Sequence, residues 1–143
     1  MRTITISLLF LVLMLSSVAF AEEKRQADAR IDLQLTEPEA TVFLAEMREM
    51  LRSIQGIITG IGKEDRELII SSARYSGNRM ARNTPSSIRE KLPESFRALG
   101  GATHLMFEEL VIRAEVEEMD MLAEFTGELM EQCLACHAQF RVR

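Results

Sequence analysis

Asp120-Met121-Leu122-Ala123-Glu124-Phe125-Thr126-Gly127-Glu128-Leu129-Met130-Glu131-Gln132-Cys133-Leu134-Ala135-Cys136-His137-Ala138-Gln139-Phe140-Arg141 holds both cysteines of the chain and one of its two histidines. Leu122, Thr126, Leu129, Cys133, Cys136 and Phe140 recur three or four residues apart, the spacing of one helix face. The thiols therefore continue the inward stripe of a last helix over 120–141. Cys133-Leu134-Ala135-Cys136-His137 is the Cys-x-x-Cys-His pattern of c-type haem attachment. Each thiol adds to a porphyrin vinyl group, and the adjacent imidazole becomes an axial ligand of the iron. In a helix the positions i, i+3 and i+4 share a face, so both sulfurs and the imidazole can address one flat macrocycle. A group held there lies within the helical core, so these residues bear on fold and cofactor together.

Three other readings of the pair are weaker. A thioredoxin-type redox couple belongs beside a βαβ pattern, and nothing in this chain reads as strand. A structural zinc wants four ligands, and only His104 remains to add. A disulfide between cysteines so close in a helix would close almost no loop.

The first residues bear on compartment. Arg2 supplies a positive start, 4–15 is apolar but for Thr5 and Ser7, and Ala19-Phe20-Ala21 is a small-x-small cleavage pattern. This predicts a secretory signal peptide over 1–21, cut after Ala21, with an apolar run too short to span a bilayer comfortably. The remainder is one domain's worth of chain. Residues 22–35 are polar and aperiodic and read as a flexible lead-in to a domain over 36–143. The net charge of −5 becomes one unit more negative without Arg2, which argues against nucleic acid or an anionic membrane as partner.

Four amphipathic helices are predicted in all. Thr36-Glu37-Pro38-Glu39 is a capping-box pattern with proline in the first turn. Phe43, Met47, Met50, Ile54, Ile57 and Ile61 follow as an inward stripe, widened by Leu51 and Ile58, with Gly60 and Gly62 marking the end. A second helix over 64–82 carries Ile69, Ala73, Ser76 and Met80 on a weaker stripe interrupted by Gly77. Asn83-Thr84-Pro85 stops it, and Ser87-Ile88-Arg89-Glu90 is a second capping pattern in the connection. A third helix over 93–117 turns Phe96, Leu99, Thr103, Met106 and Leu110 inward, with Phe107 beside them. Sequential helices with mostly short connections favour an all-α, antiparallel four-helix bundle, up-down-up-down, around a covalently bound haem.

The layout and the tail Cys133-Leu134-Ala135-Cys136-His137-Ala138-Gln139-Phe140-Arg141 resemble the class II c-type cytochromes, the cytochrome c prime family and its low-spin relatives. The resemblance implies one haem c, joined outside the cytoplasm of a bacterium. His137 is then the proximal ligand, with Phe140 and Arg141 near the proximal haem face. It puts the distal position on the first helix, where counting back from Gly62-Lys63-Glu64 falls within a residue of Met47. Low-spin relatives supply a methionine sulfur there, which makes Met47 the expected sixth ligand, ahead of Met50. Where the family often has an arginine for a haem propionate, one turn before, this chain has Phe43, so Arg48 or Arg52 would take over. Family members often dimerise through their first two helices, which leaves a homodimer open. His104 is an alternative ligand or a hydrogen-bond partner, Met80 a weaker candidate, and Tyr75 reads as core or interface.

With no acid–base pair or nucleophile evident, the expected role is that of a periplasmic electron carrier meeting redox partner proteins, not an enzyme. The glutamates 115, 117 and 118 read as a solvated face that a basic docking patch could use. The competing role is a five-coordinate cytochrome c prime that binds nitric oxide or carbon monoxide at a vacant distal site. A subunit that keeps the motif without haem is the remaining reading.

Overall fold

The computed structural model describes residues 28–143. The expected signal peptide and the start of the lead-in lie outside the described residues. Two-residue strands apart, the described chain is all-α. The elements are β1 (Ile31–Asp32), α1 (Glu37–Lys63), α2 (Arg66–Tyr75), α3 (Asn78–Asn83), α4 (Ser86–Arg89), α5 (Glu94–Val116), α6 (Met119–Gln139) and β2 (Phe140–Arg141). Helix α1 packs on α2 and α6, α2 on α5, and α5 on α6, so the contacts close into a ring; α3 lies against α5.

The capping box at Thr36 is present: the Glu39 carboxylate accepts from the Thr36 backbone N–H and hydroxyl, each at 2.8 Å. Glycine does not end α1 as expected. The helix runs through Gly60 and Gly62 to Lys63 and closes on Glu64, whose left-handed φ of 55° turns its N–H back to the carbonyls of Gly60 and Ile61. Gly60 serves packing instead. A Cβ there would lie 2.6 Å from a side-chain carbon of Ile69 and 3.0 Å from the Asp65 carbonyl oxygen.

The second helix departs most from its predicted span. Over 64–82 the chain forms α2, breaks at Ser76-Gly77, and resumes as α3. Side chains from α1 and α5 occupy the break. The Ser76 hydroxyl donates to Ser53 at 2.7 Å, the Ser76 carbonyl receives His104 Nδ1 at 2.7 Å, and Glu108 accepts the Asn78 N–H at 2.7 Å. Tertiary partners thus replace the hydrogen bonds that an unbroken helix would make.

The lead-in is a second correction. Its described end is held in the fold: Ile31 and Asp32 pair in parallel with Phe140 and Arg141, and Leu33 N–H donates to the Arg141 carbonyl at 3.1 Å. Leu33 is 2 % exposed. The apolar residues Ile31, Leu33 and Leu35 alternate with polar ones, a strand rhythm hidden in a short segment. The last helix correspondingly stops at Gln139, and Phe140–Arg141 is extended.

The core has two parts. One joins Ile54, Ile57, Ile69, Ala73, Phe107, Leu110, Leu122, Phe125 and Leu129 from α1, α2, α5 and α6. The other joins Leu33, Phe43, Ile88, Leu92, Phe96 and Phe140, with Met47 and Cys136 packed against it. Phe96 ties the second part together, its ring 5.6 Å from Phe43 and 5.2 Å from Phe140, the latter edge-on. Inward Thr103 and Thr126 return their hydroxyls to the carbonyls of Leu99 and Leu122. Leu51 and Ile58, expected to widen the buried stripe, are exposed, as is Tyr75.

Candidate functional site

A cavity of about 320 Å³ is walled by residues of both core parts. Helix α1 contributes Phe43, Glu46, Met47, Met50, Leu51 and Ile54; α6 contributes Met130, Cys133, Cys136 and His137. Helix α5 supplies Phe96, Arg97, Gly100, Gly101, Thr103 and His104, and the segment before it supplies Ala81, Thr84, Arg89 and Leu92. The volume is in the range of small-molecule and cofactor sites, and the walls are mostly apolar.

Cysteine, histidine and methionine reach this space for simple reasons. Cys133 and Cys136 stand one turn apart on the inward side of α6, and His137 is the next residue along. Met47 lies one turn after Phe43 and just under two turns before Ile54, on the stripe that packs α1 against its neighbours. Both thiols are free and half-buried. Burial pushes the Cys133 thiol above its ordinary value; burial, and then the neighbouring Cys133, do the same for Cys136. They are neutral thiols at pH 7, not activated thiolates. Among the described residues no group of three or more His, Cys, Asp or Glu could hold a metal ion, so the further ligands of a zinc site are not at hand.

Four of the expected site residues, Met47, Cys133, Cys136 and His137, therefore share one cavity. The other two do not line it. Phe140 is buried behind the wall against Phe96. Arg141 turns to the amino-terminal strand, its guanidinium 3.7 Å from Asp32 and 3.9 Å from Asp28. Its place in β2 explains this: the helix has ended, so Arg141 no longer continues the face of His137. Arg48 and Arg52 are also absent from the wall. They follow Met47 by one and five residues, which carries both around the helix away from it, and Arg52 pairs with Glu49. Phe43 fills the position by ring packing on Phe96, where an arginine would bury an unpaired charge.

His104 meets one of its expected roles. Its Nδ1 lies 2.7 Å from the Ser76 carbonyl, which can only accept, so Nδ1 carries a proton. Met50 lines the cavity too, whereas Met80 does not. The reading from sequence missed Glu46, Thr84, Arg89 and Arg97. Burial raises the Glu46 carboxyl, opposed by the Thr84 hydroxyl at 3.1 Å and by the His104 imidazole. Glu46 adjoins the inward stripe and could have been suspected from that; Arg89 lies in an aperiodic connection and could not. No helix of the described residues is long and apolar enough to cross a membrane. Searches with family models, of curated proteins and of solved structures return no match to this chain, so the reading of the cavity rests on its own residues.

Proposed function

We propose that this chain is an exported class II c-type cytochrome, a four-helix bundle carrying one covalent haem c and passing single electrons between redox partner proteins. The observation that carries the reading is the shared cavity: both thiols and the imidazole of the attachment motif face the same apolar space as a methionine from another helix. The ring of packed helices supports the bundle, with α2 as its shortened second member. The donor set fits the group: two unpaired thiols for thioether bonds, an adjacent imidazole, and apolar walls for a flat macrocycle. When bound, the haem supplies a one-electron iron couple.

The chain's own residues do the rest. Cys133 and Cys136 would anchor the porphyrin edge, and His137 would take one axial position. Met47 would take the other, its soft thioether favouring the reduced iron. Phe43, Leu92 and Phe96 keep water from that space, which disfavours the extra charge of the oxidised form. Export and a periplasmic location belong to the same proposal and rest on the leader pattern alone.

The test is the spectrum of protein produced with haem attached. A low-spin ferric form is expected, turning high-spin or water-ligated in Met47→Ala and unchanged in Met50→Ala. Conversion by His104→Ala instead would make the second ligand a histidine. A high-spin wild type would overturn the carrier and favour the gas-binding alternative, in which a vacant distal site takes nitric oxide or carbon monoxide.

A further inference from the structure

The charged residues that border the cavity are Glu46, Arg89 and Arg97. Glu46 stands on α1 and is engaged by Thr84. Arg89 ends α4 and Arg97 lies in the first turn of α5; neither forms an ion pair with any described residue. Arg30, Arg52, Arg113, Arg141 and Arg143 do; of the described arginines without an ion pair, Arg89 and Arg97 alone border the cavity. An apolar space fringed by two unpaired guanidinium groups suits a flat apolar ligand with anions at one edge.

Resting on the haem reading above, we infer that Arg89 and Arg97 hold the haem propionates. The propionates leave the macrocycle on the edge away from the vinyl positions. The thiols that would bond the vinyl side are on α6, whereas the two arginines reach the cavity's border from α4 and the start of α5. A guanidinium meets a carboxylate through two parallel N–H···O bonds, a match that lysine cannot reproduce. The expectation that Arg48 or Arg52 would do this is replaced by a pair from the α4–α5 segment. That segment is held at the cavity by Ile88, Leu92 and Phe96, all in the second part of the core. The same cations would favour reduced haem by offsetting propionate charge.

Haem-loaded wild type is compared with Arg89→Gln, Arg97→Gln, the double variant, the two lysine variants and Arg48→Gln. All are measured at one pH, because Glu46, His104 and His137 also face the cavity. Resonance Raman reports the propionate bending band, and redox titration reports the midpoint potential. The expected result is a shifted band and a lower potential in each glutamine variant, larger in the double variant. The lysine variants recover the potential but not the band, and Arg48→Gln leaves both unchanged. Glutamine variants with a wild-type band, or a shift produced by Arg48→Gln, would overturn the assignment while leaving the cytochrome reading intact. Absence of a Soret band in wild type would overturn both, and shows before any variant is compared. Both arginines are exposed, so folding is not at stake; far-ultraviolet dichroism of each variant verifies it.

Discussion

Gly60 and Glu39 each do something their residue type does not announce. A glycine inside a helix ordinarily costs about 1 kcal/mol relative to alanine. At Gly60 that sign reverses, because an added Cβ would press on the Ile69 side chain and on backbone atoms of Asp65 and Ile69 that cannot swing aside. Gly60→Ala is expected to lower stability by about 1–2 kcal/mol net in urea unfolding. Gly62→Ala, where a Cβ meets nothing within 4 Å, should be neutral or stabilising. Glu39 is held down to about 2 from its ordinary 4.5, first by Lys91, then by the Thr36 N–H and hydroxyl. A depressed carboxyl gives stability that is complete above the unfolded value and drains away as pH falls from about 4.5 towards 2. Glu39→Gln should therefore flatten the stability profile across that interval and change it little in shape at neutral pH.

The helix break between α2 and α3 shows how an element boundary can be imposed from outside. Local pattern favours continuation, and Gly77 alone would only weaken it. What holds the break is that Ser53, His104 and Glu108 receive or donate to the groups it releases. A Cβ on Gly77 would lie 2.3 Å from a Glu108 carboxylate oxygen, the same oxygen that accepts the Asn78 N–H. Gly77→Ala must push that carboxylate away and leave the Asn78 donor without its partner. The expected loss is about 1–2 kcal/mol in thermal or denaturant unfolding. Glu108→Ala should lose a similar amount, and the double variant should lose less than the sum, because both remove one interaction. Because His104 also lines the cavity, this break sits directly behind the site rather than on an indifferent surface.

On the scale of the whole molecule, the two ends of the described chain pack together behind one side of the cavity's wall. Leu33 and Phe140, 2 % and 4 % exposed, complete the core part that contains Phe43, Leu92 and Phe96. Asp32 lies beside Arg141 and Arg143, which fastens the strand pair at its polar edge. The Asp32 side chain is largely buried and Arg143 largely exposed, so these pairs are screened from one side, and the apolar contacts carry most of the stabilisation. Leu33→Ala is expected to cost about 2–4 kcal/mol, and Asp32→Asn, which can keep an acceptor for the Gln34 N–H, about 1 kcal/mol, both read from urea midpoints. Equal costs for the two would contradict this division of labour. The clasp also explains why Arg141 leaves the neighbourhood of His137: burying Phe140 ends the helix one residue earlier.

From the amino-acid order alone came the all-α class, the long first, third and last helices within a few residues, and the inward placement of Cys133 and Cys136 on one helix and of Met47 on another. These follow because helical periodicity is local, so residues three or four apart must share a side whatever surrounds them. Tertiary structure decided the rest: the break at Ser76-Gly77, the strand pairing of residues 31–32, the passage of α1 through Gly60, and the arginines at the cavity's border. Each of these depends on groups far apart in the chain meeting in space, where a hydrogen bond or a missing Cβ outweighs the local preference. Periodicity carries no record of such meetings.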